Sequence, residues 1–126
     1  MPLVRIDLRQ GKTAEYRRKI GDMVYQAMRD TIQLPEHDRF QVITEHSQDG
    51  LLYHPSYLGI NRTDNVVFIQ ITLNKGRTLE QKKALYARIT ELLEKEPGIR
   101  PEDVLINLVE SAREDWSFGN GIASYA

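Results

Sequence analysis

Apolar and polar residues alternate along Leu3-Val4-Arg5-Ile6-Asp7-Leu8, the two-residue period of a half-buried strand. Beyond Gly11-Lys12-Thr13 the period lengthens, and Tyr16, Ile20, Val24, Ala27 and Met28 fall on one face of a charged helix. Leu34-Pro35 breaks that helix, after which Phe40-Gln41-Val42-Ile43-Thr44 is again rich in strand formers. The succession then returns: a strand from Val66 to Leu73, a helix from Thr78 to about Glu94, and a strand from Val104 to Val109. Thr78 and Gln81 have the spacing of a capping box at the start of the second helix.

One constant offset relates the halves. Gly11 and Gly76 stand 65 positions apart, as do Thr13 and Thr78, Glu15 and Glu80, Asp38 and Asp103, and Glu45 and Glu110. The apolar positions follow the same shift, Ile20 with Leu85, Val24 with Ile89 and Ala27 with Leu92. An offset that holds through strands and helix alike argues for duplication of a β-α-β unit. Two such units give an α+β fold: a four-stranded mixed sheet with two helices on one face. The uncovered face is expected to be apolar and closed by a symmetric oligomer. The expected organisation is one domain over residues 1–126, with a first unit at 3–46, a connector at 47–65, a second unit at 66–110 and a C-terminal tail at 111–126. The connector is longer than compact domains usually carry without a purpose. In the tail, Asp115-Trp116-Ser117-Phe118-Gly119-Asn120-Gly121 sets two large aromatics among glycines, which suits a wall over a small pocket.

Composition narrows the function classes. At 126 residues the chain has room for one core and no separate substrate domain. A net charge of -1 offers no attraction to a polyanion, so no nucleic-acid partner is expected. The absence of cysteine excludes disulfides, thiolate metal ligands and a thiol nucleophile. No apolar run is long enough to span a bilayer or to form a signal-peptide core, so no membrane partner and a cytoplasmic location are expected. His37, His46 and His54 lack the helical spacing of a metal pair, and no metal site is read. There is no G-x-S-x-G elbow, Walker loop or G-x-G-x-x-G, which leaves serine hydrolysis and nucleotide binding without support.

Three features carry candidate chemistry, each beside a plainer reading. Pro2 starts the first strand, as a proline at a strand edge often does. With Met1 removed, it would instead present a secondary amine, and α-amino groups titrate near ~7.7 to 8.0, within reach of acid or base work at neutral pH. Lys75-Gly76-Arg77, between the third strand and second helix, reads either as a solvated turn or as a carboxylate clamp. In the clamp, Arg77 forks the anion, Lys75 adds a point charge and the helix N-terminus helps. Asp38, just before a strand, is either a turn aspartate paired with Arg39 or a carboxylate that orients water or takes a proton.

Taken together, Pro2, Asp38-Arg39-Phe40-Gln41, Arg62-Thr63, Val67-Phe68-Ile69-Gln70, the turn ending Arg77-Thr78 and Asp115-Trp116-Ser117-Phe118-Gly119 resemble the tautomerase superfamily, and most closely its malonate semialdehyde decarboxylase-like branch. The resemblance covers essentially the whole chain. It implies a homotrimer with no metal or organic cofactor. It further implies Pro2 as the catalytic amine and Asp38 as its partner carboxylate, with Arg77 binding a small-molecule carboxylate substrate and Trp116, Phe118 and Tyr125 forming an apolar wall. The decarboxylase pattern has two arginines on the basic turn, one residue apart; here Lys75 occupies the first place, and a lysine neutralises a carboxylate without forking it.

Three functions follow as expectations. The first is a cofactor-independent tautomerase of a small 2-oxo acid or its enol, with neutral Pro2 as base. The second is decarboxylation or hydration of a small 3-oxo or unsaturated acid, with protonated Pro2. The third is a non-catalytic trimeric binding module, since fold alone does not fix function.

Overall fold

The two helices begin in the same way. Thr13 (φ -72°, ψ 161°) and Thr78 (φ -76°, ψ 163°) are N-caps whose hydroxyls accept from the amides of Tyr16 and Gln81, at 3.1 Å in both cases. Two residues ahead of each cap, Gly11 and Gly76 take φ of 113° and 126°, a backbone region that L side chains rarely enter. Gln81 also accepts from the Thr78 amide, which completes the capping box in the second unit alone. The offset of 65 is thus a repeat of backbone geometry as well as of residue type.

The structure is a computed structural model and describes residues 2–125. Its elements are β1 (Leu3–Arg9), α1 (Ala14–Ile32), β2 (Gln41–His46), β3 (Val67–Asn74), α2 (Leu79–Lys95) and β4 (Val104–Ser111). The strands lie in the order β2-β1-β3-β4. Within each unit the pair is parallel, β1 with β2 and β3 with β4, and the units join antiparallel through β1 and β3, with Leu3 opposite Thr72 and Ile6 opposite Ile69. The sheet is therefore mixed, as the repeat implied. Its strands begin or end within one or two residues of the positions read from sequence. The largest differences are at the ends of β2 and β4, where pairing continues past the apolar alternation through His46 and Ser111.

Alternation puts Val4, Ile6 and Leu8 of β1 and Val67, Ile69, Ile71 and Leu73 of β3 on the face beneath the helices, all buried. Ile20, Val24, Ala27 and Met28 of α1 and Leu85, Ile89, Leu92 and Leu93 of α2 complete that core. The other face carries Val42, Phe68, Leu105 and Val109, but also Arg5, Asp7, Gln70 and Asn107. It is mixed rather than uniformly apolar, and its polar groups pair across strands. Asp7 meets His46 at 2.6 Å, and Gln70 donates to Asn107 at 3.0 Å.

The connector and the tail lie over opposite ends of the sheet. The connector closes the end where β1 finishes and β3 starts: Arg9 donates to the Leu51 carbonyl and pairs with Asp64 at 2.6 Å, and Thr63 binds the buried Asp103. The tail packs at the end where β1 starts and β3 finishes, with the Trp116 indole held at Asn74. No helix among the described residues is long and apolar enough to cross a membrane.

Candidate active site

Continuing the β1–β3 register by one residue sets Pro2 level with Leu73, next to the strand end that leads into Lys75-Gly76-Arg77. Pro2 is buried there, in a crevice too tight to admit a water molecule, which it shares with Asp38, Arg39, Phe40 and Tyr25. The Val4 amide donates to the Phe40 carbonyl at 3.0 Å, which pins the Asp38-Arg39-Phe40 approach beside the start of β1. Arg39 is engaged elsewhere: its Nη2 donates to Asp22 at 2.8 Å, its Nε to Gln41 at 3.2 Å, and its guanidinium lies 5.3 Å from the centre of the Tyr25 ring. Met1, whose removal the amine reading requires, lies outside the described residues.

An aromatic stack rises from this crevice. Phe40 and Phe118 have centroids 5.5 Å apart, Trp116 stacks on Phe118 at 5.3 Å with planes 7° apart, and Tyr125 meets Phe118 edge-on at 5.3 Å. The three tail aromatics singled out from sequence therefore form one wall. Phe40, which sequence pattern alone reads as an ordinary strand residue, joins that wall to Pro2.

The basic turn is tied to the far side of the wall. Arg77 Nη1 donates to the Asn74 carbonyl at 2.9 Å, and the Lys75 amide donates to the Ser111 carbonyl at 2.9 Å. Among the described residues no carboxylate pairs with Lys75 or Arg77, so both charges remain available to an anion. A larger cavity, about 340 Å³, opens at the opposite end among Arg9, Lys12, Asp64 and Asn65. Its cations are already engaged, Arg9 by Asp64 and Lys12 by Asn65, which makes it the poorer anion site despite its size. Asn74 and Ser111 were missed by motif reasoning. Their one sequence signal is that polar residues end the apolar alternation of β3 and β4 just before the turn and the tail.

The residues proposed from sequence thus gather at one end of the sheet: an imino-acid ring and a carboxylate in a crevice, an aromatic wall, and two cations with no carboxylate partner among the described residues. Residues 38–119 match one model described as tautomerase enzyme, and residues 2–61 match another of the same description. The probable tautomerase YusQ of Bacillus subtilis (strain 168) is 45% identical over 123 residues, 98% of this chain and 97% of the relative. Among solved structures, a malonate semialdehyde decarboxylase inhibited by 3-bromopropiolate is 40% identical, with a TM-score of 0.92 over 98% of this chain and 93% of the other. A second malonate semialdehyde decarboxylase, described with decarboxylase and hydratase activities, is 34% identical, with a TM-score of 0.92 over 98% and 95%. The chain belongs to the tautomerase family of enzymes.

Proposed function

We propose that the protein is a cofactor-independent tautomerase of a small 2-oxo acid, acting through the amine of Pro2 once Met1 is removed. The observation that carries the proposal is the placement of Pro2: buried beside Asp38 and Phe40, one strand end from a turn whose two cations have no carboxylate partner among the described residues. Arg77 and Lys75 hold the substrate carboxylate, and the wall of Trp116, Phe118 and Tyr125 receives its apolar part. The neutral amine takes the enol hydroxyl proton as the carbonyl forms at C2 and the C2–C3 double bond opens; the resulting ammonium returns the proton to C3. Asp38 stabilises the ammonium between the two steps.

The test uses protein whose intact mass shows the loss of one methionine, with the enol of phenylpyruvate followed by its absorbance. Pro2→Ala is expected to lower turnover by roughly 10²- to 10³-fold, the usual range for a positioned acid–base group. Unchanged turnover would sink the proposal.

The second reading, decarboxylation or hydration of a 3-oxo or unsaturated acid, is favoured by the two malonate semialdehyde decarboxylase structures. It needs Pro2 protonated at working pH, so that the ammonium polarises the carbonyl. A direct titration of the Pro2 amine separates the two: a pKa well above neutrality supports the second and counts against the base role.

The assembly proposed is a homotrimer in which other copies cover the open sheet face around Phe68 and Leu105, both left partly exposed in one chain. Sedimentation equilibrium giving a monomer at micromolar concentration would exclude it.

A further inference from the structure

Asn74 is the last residue of β3, and it makes two contacts of different kinds at once. Its main-chain carbonyl accepts from Arg77 Nη1 at 2.9 Å, and its side-chain Oδ1 accepts from Trp116 Nε1 at 2.8 Å. An indole N–H only donates, so the amide must turn its oxygen toward the ring. Ser111, opposite Asn74 in the β3–β4 register, supplies a second acceptor: its Oγ takes the same indole N–H at 2.9 Å and donates to the Leu73 carbonyl at 3.2 Å. The indole is thereby fixed on two strand ends, and Phe118 and Phe40 stack outward from it toward Pro2.

The repeat supplies an independent view of this position. Sixty-five residues earlier, Arg9 stands where Asn74 does and Leu51 where Trp116 does. Arg9 grips the Leu51 carbonyl through Nε at 3.2 Å and Nη2 at 3.0 Å. In both units the strand end holds the segment that follows the unit, but by opposite means. The first unit uses a cation on a main-chain carbonyl, which fastens a loop. The second uses a neutral acceptor on an aromatic side chain, which orients a ring.

We propose that Asn74 is a positioning residue that sets the aromatic wall and the Arg77 clamp in a single frame, with Ser111 as its support. The inference rests on the preceding reading, in which Arg77 binds the substrate carboxylate and Trp116 walls the pocket. The neutral amide has a further consequence. Aspartate would hold the indole equally well, but its charge would lie within the turn that carries Lys75 and Arg77 and would compete with an anionic substrate.

Trp116 is the single tryptophan of the chain, so its emission reports this anchor directly. Asn74→Leu keeps the volume and removes the acceptor; the expected result is a red-shifted emission, readier quenching by acrylamide and a kcat lowered by about tenfold, the scale of one lost hydrogen bond. Asn74→Asp restores the emission and most of kcat while raising KM by about tenfold. Ser111→Ala, a milder change, gives an intermediate emission and guards against failure of the leucine variant to fold. Wild-type emission and kinetics in both Asn74→Leu and Ser111→Ala overturn the proposal. So does an Asn74→Asp protein whose emission matches that of the leucine variant. If the wild type fails to convert any enol while the emission follows the expected order, the proposed reaction falls and the anchor stands.

Discussion

Asp38 and Asp103 occupy equivalent places in the two units, yet their surroundings have diverged. Asp103 is fully buried and accepts from the Thr63 amide and hydroxyl at 2.7 Å each, with Arg100 at 3.7 Å. Its carboxylate is committed to holding the connector. Asp38 shares a crevice with Pro2, whose own counterpart in the second unit is Val67, a core residue of β3 with no titratable group. One duplicated frame has thus been used once to hold the connector and once to set a carboxylate beside the proline. What separates the two ends is what each carboxylate stands beside, the connector's Thr63 for Asp103 and the Pro2 ring for Asp38.

The sharpest way to break this comparison is to remove each carboxylate in turn. Asp103→Asn is expected to destabilise the fold by about 2 kcal/mol, through weakened charge-assisted bonds to Thr63, while the kcat of properly folded protein is kept. Asp38→Asn is expected to melt within a few degrees of wild type and to lose roughly 10²-fold in turnover. Urea melts and steady-state kinetics on both variants decide it. If both proteins lose stability and neither loses turnover, the division of labour between the ends is wrong.

Arg77 and Lys12 provide the next contrast, since they share a place in the two glycine turns. Arg77→Ala is expected to raise KM for a 2-oxo acid by roughly ten- to a hundredfold, the worth of a charge-assisted hydrogen bond. Lys12→Ala removes a cation that already binds Asn65 at 2.5 Å and lies 5.2 Å from the centre of the Tyr16 ring, and it should leave KM unchanged. An equal rise in both variants would show only a general electrostatic attraction, with no dedicated clamp.

These contrasts also mark how far sequence reasoning reached. The alternation in β1 and β3, the spacing of Ile20, Val24, Ala27 and Met28, and the threonine caps are local, and local patterns are what a single chain displays. Pro2, Asp38 and Arg77 stood out by chain position, by turn context and by the family resemblance, and the fold sets Pro2 and Asp38 in one crevice. Two things were not legible. The polar half of the open sheet face depends on cross-strand pairs such as Asp7 with His46, which only the register brings together. Asn74 meets the Trp116 indole 42 positions away and Ser111 reaches back 38 positions to Leu73, while Phe40 meets Phe118 at the far end of the chain, so no short window of sequence displays the anchor as a whole.

The smallest expected effect is a pH dependence confined to the closed end. Burial raises the Tyr16 phenol above its ordinary value of 10.0, with the Asp103 charge adding to the rise. A hydrogen bond to Asp64 chiefly raises that of Tyr53, on the connector. A group whose pKa is higher folded than unfolded contributes stability that is fully present below the unfolded value and is lost as pH climbs through the folded one. Wild type should therefore lose stability above about pH 10 in part because these phenols resist ionising where they sit. Tyr16→Phe cannot ionise at this position, so it should fall less steeply: its melting temperature, measured against wild type, should gain about one or two degrees between pH 9 and pH 11. Turnover below pH 9 should not change, because Tyr16 belongs to the end that Asp103 holds shut. Parallel stability curves for the two proteins would show that the closed end contributes nothing to the alkaline limb and would assign it to groups elsewhere.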